Sequence, residues 1–298
     1  MTKFLDRRNI NVRSVYFRIL ISTLLVTVLP LLLIYFLISV QTVRTIEQQS
    51  EAIDSQFLLQ TQESVEQILS RIQYDAITLA DSRDVMSFVF LPEISDWKIL
   101  QRLGADLSSL STGSTFISSA YIYSAYQGKV MTSDYRYYSL DEFYDQGWLS
   151  IYRQETAPVY WTEPRAVVDS NGKQSTCISL IVHVPNGSRK LSGAVIFNIN
   201  TDNLDASLLS GGVDILYQDF HSMLKKAETV RLLQKVDTSW FTSAASGSRT
   251  VRINGVPYLL TYTYSSMLDW YFIRTSDLTA SFTSYRNIGT ILLLFSLT

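Results

Sequence analysis

An α+β fold carried on a membrane helix is what these 298 residues predict, and three observations predict it. The first is the run from Ile19 to Val43, which holds no charged residue between Arg18 and Arg44. About 20 apolar residues, each rising about 1.5 Å in a helix, cross the hydrocarbon core of a bilayer. The second is the stretch from Gln41 to about Ala80, which has no Gly or Pro and repeats apolar residues at helical spacing. The third is a change of pattern from Phe116 onward, where β-forming runs alternate with tight-turn signals.

The apolar run competes with a secretory signal peptide. A signal has an apolar region of about 7–15 residues and ends in a small-residue cleavage site. Here the run is longer, and Tyr35, Phe36 and Leu37 stand where small residues would be needed, so a retained transmembrane helix over 19–43 is expected. Pro30 falls inside it, at a depth where a kink is tolerated. Residues 1–18 carry Lys3, Arg7, Arg8, Arg13 and Arg18 against Asp6, a net of 5 − 1 = +4. Beyond the run, Arg44 is followed by Glu47, Glu51 and Asp54. The positive-inside rule therefore expects a cytoplasmic N-terminus at the cell membrane and an extracellular region over 44–286. At the other end, Ile288 to Thr298 is uncharged but only about half a span long. A buried C-terminal helix would alternate with polar positions, so 287–298 is expected to be the start of a second transmembrane helix, cut short.

Within the outer region, Val43, Ile46, Ile53, Phe57, Val65, Ile68, Ile72, Ile77 and Leu79 recur mostly at steps of three, four, seven and eight, which predicts a long juxtamembrane helix over 44–80. A dimer seam along it is the sharper expectation, supported by irregular heptads. Strands are expected at Ile117–Ser124, Lys129–Thr132, Pro158–Val168, Ser175–Val184 and Leu191–Ile199, broken at Gln127-Gly128, Asp169-Ser170-Asn171-Gly172 and Pro185-Asn186-Gly187-Ser188. Together with a helical or loop segment over Ser139–Tyr152 they make a larger, antiparallel module over 81–200. A smaller module over 201–286 opens with a helix at Thr201–Ser210, ended by Gly211-Gly212. A strand at Val213–Tyr217, helical composition over Phe220–Val236 and a three-strand meander from Arg249 to Thr275 follow. Asn254-Gly255 inside the meander is the strongest short hairpin signal in the chain.

Composition removes several function classes. With 25 basic and 27 acidic residues the chain has no electrostatic footprint for nucleic acid. One cysteine, Cys177, excludes an internal disulfide or a cysteine-rich zinc site, and two histidines, His183 and His221, leave little for metal chemistry. There is no G-x-S-x-G elbow, no Gly-rich phosphate loop with Lys and no H-E-x-x-H, so neither catalysis nor a cofactor is expected. A membrane-anchored extracellular hydrolase is the alternative, with Asp141, Glu142 and Glu163 as its only candidate acids. An assembly protein binding a partner through an exposed apolar face is a third reading. Aromatic residues crowd the larger module, and small-molecule pockets join such walls to a few fixed polar groups. The candidate ligand-binding residues are Tyr123, Tyr144, Trp148, Tyr152, Trp161, Arg165 and Asp169, which suit a sugar, an amino acid or an organic acid.

Several stretches in fixed order carry a resemblance. They are R-S-V-Y-F-R-I-L at 13–20 with Leu29-Pro30, Y-D-Q-G-W-L at 144–149, and K-L-S-G-A-V-I-F-N-I-N at 190–200 with Asp202 and Leu204. I-N-G-V-P-Y-L-L-T-Y at 253–262 and Leu268-Asp269-Trp270-Tyr271 complete the set. Over nearly its whole length the chain resembles the double Cache (dCache) sensor region of Gram-positive transmembrane receptors. The resemblance implies two tandem PAS-like modules and a small extracellular ligand in the membrane-distal one. It also implies a homodimer and a cytoplasmic output, either an AraC-type transcription regulator or the histidine kinase of a two-component system; a chemoreceptor-type sensor is a further alternative. Amino-acid-binding members place an Arg shortly before the Trp and an aromatic after it, where this chain has Gln146-Gly147-Trp148-Leu149. Asp169 stands where those members place an ammonium-binding Asp.

Overall fold

The computed structural model describes residues 15–92, 97–187, 191–208, 212–217, 227–237, 239–242 and 244–279. The basic N-terminus over 1–14, His221 and the expected second span over 287–298 lie outside them. The first element, α1, is one continuous helix, Val15–Ala80, with Pro30 inside it. It is long and apolar enough to cross a membrane. Its apolar part stands exposed, and Ser22 and Thr23 donate their hydroxyls to Ile19 O while Thr27 donates to Thr23 O, at 2.8–2.9 Å. Hydroxyls satisfied within the helix itself need no water, which is what lipid demands.

Further along α1 a buried stripe runs Asp54, Leu58, Thr61, Val65, Leu69, Ile72, Ala76 and Leu79, in steps of three and four. This seam differs from the expected one. Ile53 is 63% exposed, whereas Leu58, Leu69 and Ala76 join the core, because the sheet and not a continuous heptad decides which stripe is covered. The helix ends at Asp81-Ser82, where the Ser82 hydroxyl accepts from Val85 N and caps α2, Arg83–Phe90. Helix α3, Trp97–Gly113, pairs with α2 through a bidentate Arg102–Asp84 bridge at 2.6 and 2.9 Å.

The first sheet is antiparallel throughout and follows the order β3-β2-β1-β7-β6-β4, with β5 also on β6. Its strands are β1 Ile117–Ser124, β2 Lys129–Thr132, β3 Tyr137–Ser139, β4 Val159–Trp161, β5 Arg165–Val168, β6 Gln174–Val184 and β7 Gly193–Asn200. One strand was expected over 158–168; two form. Trp161 pairs with Leu180 and Arg165 with Cys177, so four residues on one side match three on the other. Pro164, which has no amide hydrogen to give the ladder, sits in the gap. Between β3 and β4 a short 3-10 turn, Leu140–Glu142, leads to α4, Gly147–Gln154.

Both faces of this sheet are covered. One face (Ala120, Ile122, Met131, Ile178, Leu180, Val182, Val195, Phe197, Ile199) packs with α1, α2 and α3. The other carries Tyr121, Tyr123, Val130, Ile181, Ala194 and Ile196 against Phe143, Trp148 and Tyr152. After β7 come α5 Thr201–Leu208, β8 Val213–Tyr217, α6 Ala227–Leu233 and α7 Ser239–Thr242, then β9 Ser246–Ile253, β10 Val256–Ser265 and β11 Trp270–Asp277. These form a second sheet of order β8-β11-β10-β9. The Asn254-Gly255 turn has φ of 50° and 84°, the double positive φ that this dipeptide tolerates. The architecture is α+β, a long helix followed by antiparallel sheets in two modules.

Candidate ligand-binding site

The face of the first sheet turned away from α1 holds a buried ion pair. Arg165, the first residue of β5, extends over β6 and β7, and Asp145 lies just before α4. Nη1 donates to Asp145 Oδ1 at 2.6 Å and Nη2 to Oδ2 at 2.8 Å. The two side chains are 10% and 2% exposed, which removes the screening that makes surface pairs weak. Every neighbour contributes. Arg165 Nε donates to Ser179 Oγ at 2.8 Å, and Nη2 donates also to Asn198 Oδ1 at 3.0 Å and Tyr121 Oη at 3.2 Å. The Tyr121 hydroxyl donates to Asp145 Oδ2 at 2.6 Å. Ser179 Oγ donates to Asn198 Oδ1 at 2.7 Å, and Asn198 Nδ2 to Ser119 Oγ at 2.8 Å.

Strand register explains why these residues meet. Tyr121 pairs with Ile196 and Ser119 with Asn198 across β1–β7, and Asn198 pairs with Ser179 across β7–β6. Cross-strand partners share a face, so Ser119, Asn198 and Ser179 form a polar row. Burial pushes the Arg165 guanidinium pKa down, but the hydrogen bonds it donates to Asp145 and Tyr121, with their charges, hold it above the ordinary value. Burial first, and then the Asp145 carboxylate, push the Tyr121 phenol well above its own.

Aromatic rings wall this floor. Trp148 and Tyr152 lie one turn apart on α4, fully buried or nearly so. Trp148 donates its indole N–H to Asp145 O at 2.8 Å, and Tyr152 its hydroxyl to Gly193 O at 3.0 Å. Ring centroids of Tyr121–Phe143, Tyr123–Trp148 and Phe143–Tyr144 are 4.4–5.2 Å apart. Tyr144 is half-buried, and its phenol pKa is raised by burial and then by Asp134, Tyr138, Asp145 and Asp169. His183 stacks edge-on between Tyr152 and Tyr160.

Five of the residues singled out from sequence (Tyr123, Tyr144, Trp148, Tyr152 and Arg165) therefore gather on one face. Trp161 does not join them. It faces the helical layer and donates its indole N–H to Gln73 Oε1 of α1 at 3.0 Å. Asp169 sits in the β5–β6 turn, where Oδ1 accepts from Asn171 N and Lys173 N at 2.9 Å. Sequence reasoning missed Asp145, Tyr121, Asn198 and Ser179. The last two are polar residues within the otherwise apolar stretches Ala194–Ile199 and Cys177–Val182. The acids considered for hydrolysis, Asp141, Glu142 and Glu163, are all exposed. Among the described residues no three metal-ligating side chains come together.

Solved structures share this architecture. The sensory domain of a Campylobacter jejuni chemoreceptor, crystallised with isoleucine bound, superposes with a TM-score of 0.56 at 15% identity, over 78% of this chain and 95% of that one. The extracellular domain of a protein assigned as a histidine kinase gives 0.59 at 14% identity, over 80% and 98%. The fold is that of a receptor sensory domain. A third structure, from a Vibrio parahaemolyticus protein assigned to the sensory box/GGDEF family, gives 0.57 at 9% identity, over 78% and 97%. No protein-family model and no curated protein matches the chain. In this fold the polar and aromatic residues gather on the face of the first sheet turned away from α1.

Proposed function

We propose that this chain is the ligand-sensing and membrane-crossing part of a bacterial receptor, not an enzyme. A small molecule binds on the Arg165 face of the first sheet. The bound state is relayed through α1 and the segment after β11 to a cytoplasmic output, either an AraC-type transcription regulator or a histidine kinase. In this reading the N-terminus is cytoplasmic, the two modules face the exterior and two copies act together.

One observation carries the reading: a buried Arg–Asp pair with an aromatic wall stands on a sensory-domain sheet, where a hydrophobic core alone would fold as well. The exposure of Asp141, Glu142 and Glu163 supports a binding role over glycoside hydrolysis, in which two carboxyl groups flank one bond. The chemoreceptor neighbours were crystallised with isoleucine, norvaline or valine. Their amino-acid preference transfers poorly, because the guanidinium nearest this wall is already held by Asp145. Titration calorimetry on the full chain in lipid nanodiscs, against sugars, amino acids and organic acids, tests the reading. A ligand that binds only one conformation must raise the unfolding temperature; silence across all three classes removes the sensing role.

A further inference from the structure

The space beside Gly147 has a chemistry of its own, and its interpretation rests on the sensing role proposed above. Gly147 opens α4 and is exposed. A β-carbon at this position would lie 3.2 Å from Arg165 Nη1, 3.8 Å from Asp145 Oδ1 and 3.9 Å from Ala166 O. Glycine thus leaves a methyl-sized notch over one donor and two acceptors.

The bonding capacity of those atoms is not used up. Nη1 carries two hydrogens, and Asp145 Oδ1 takes one of them. The second has no partner among the described residues. Oδ1 accepts that single bond, whereas Oδ2 accepts from both Tyr121 and Nη2. Ala166 pairs with Thr176 one residue from the pair Val167–Ser175, and the ladder's alternation turns its carbonyl away from β6. The notch therefore offers a nine-tenths-buried cationic donor beside a buried anionic acceptor whose charges cancel.

Three ligand chemistries meet this notch differently. A carboxylate brings only acceptors and would face Oδ1 and Ala166 O. An ammonium brings only donors and would face the free N–H. A hydroxyl gives one hydrogen bond and takes one, which matches the set. A charged ligand would also have to break the Arg165–Asp145 pair to gain a counter-ion, and a buried pair that loses one partner leaves an uncompensated charge. We propose that this notch is a hydroxyl-binding subsite and that the molecule sensed is an uncharged polyhydroxylated compound, a sugar or polyol. Its hydroxyl accepts from Arg165 Nη1 and donates to Asp145 Oδ1 or Ala166 O.

Thermal unfolding and calorimetry of the full chain in nanodiscs test the assignment. The probes are D-glucose, D-ribose, myo-inositol, L-isoleucine, succinate and ethanolamine. At least one of the three polyols binds and raises the wild-type Tm, and the charged probes do not. Gly147→Ala fills the notch with a methyl group and weakens that polyol at least tenfold. Its β-carbon meets Arg165 Nη1 at 3.2 Å, so the ligand-free Tm is measured alongside to separate loss of the subsite from loss of stability. Gly147→Ser, which carries a hydroxyl into the notch, abolishes polyol binding. Polyol affinity unaltered in both variants overturns the subsite. Binding of isoleucine, succinate or ethanolamine without any polyol overturns the ligand class while leaving the sensing role standing. No response to all six overturns both.

Discussion

The two faces of the first sheet are built on the same strands and differ in everything except burial. The face toward α1, α2 and α3 is aliphatic, with Ile178, Leu180, Val182 and Phe197 all fully buried. The opposite face has the same depth of burial but carries Tyr121, Ser179, Asn198 and the Arg165–Asp145 pair. Adhesion requires only the first kind of surface. A buried ion pair seldom adds stability over apolar residues of equal volume, so the second face is no more adhesive for carrying one.

The largest test of that contrast removes half of the pair. Asp145→Ala leaves Arg165 buried without its counter-charge, and urea denaturation is expected to show a loss of about 3–5 kcal/mol. The double variant Asp145→Leu/Arg165→Met should recover most of that loss. Recovery without ligand binding would sharpen the distinction between the faces, and a negligible single-variant cost would erase it. A smaller perturbation compares matched residues of β6. Ile178→Val and Ile181→Val each remove one buried methyl group from opposite faces, and each is expected to cost about 0.5–1.5 kcal/mol. Only Ile181→Val should alter the affinity for a bound small molecule, measured by calorimetry.

The smallest effect belongs to the helical layer. The hydrogen bond from Arg102 lowers the Asp84 carboxyl below its ordinary value of 3.8. A folded pKa below the unfolded one means the bridge stabilises above pH of about 4 and loses its contribution as pH falls through the folded value. With Arg102 54% exposed the bridge is largely screened, so Asp84→Asn should cost about 0.2–1 kcal/mol at pH 7 and progressively less as pH falls below about 4. A cost that persists at pH 2 would assign the effect to packing instead.

Much of this contrast could be read from the sequence, but its decisive pair could not. The alternation in Ile117–Ser124 already separates Tyr121 and Tyr123 from Ala120 and Ile122, and the four-residue step from Trp148 to Tyr152 places both on one side of a helix. The side taken by Trp161 depends on the break after β4. In an unbroken strand Trp161 and Arg165, four residues apart, would share a face. The extra residue beside Pro164 shifts the parity by one, sending Trp161 to the helices and Arg165 to the opposite side. Asp145 and Arg165 are 20 residues apart on different elements, and local pattern carries no trace of their meeting. The same holds for Ser179 and Asn198, whose partnership is a matter of register between two strands that read as apolar.

Pro30 gives α1 an uneven stiffness. The helix is about 100 Å long at 1.5 Å per residue, and over that length proline withholds one amide hydrogen and crowds the preceding turn. A helix bends most readily at such a residue, so any flexing of α1 costs least within its apolar part, and exchanging Pro30 for alanine would restore the missing amide hydrogen and even out that stiffness.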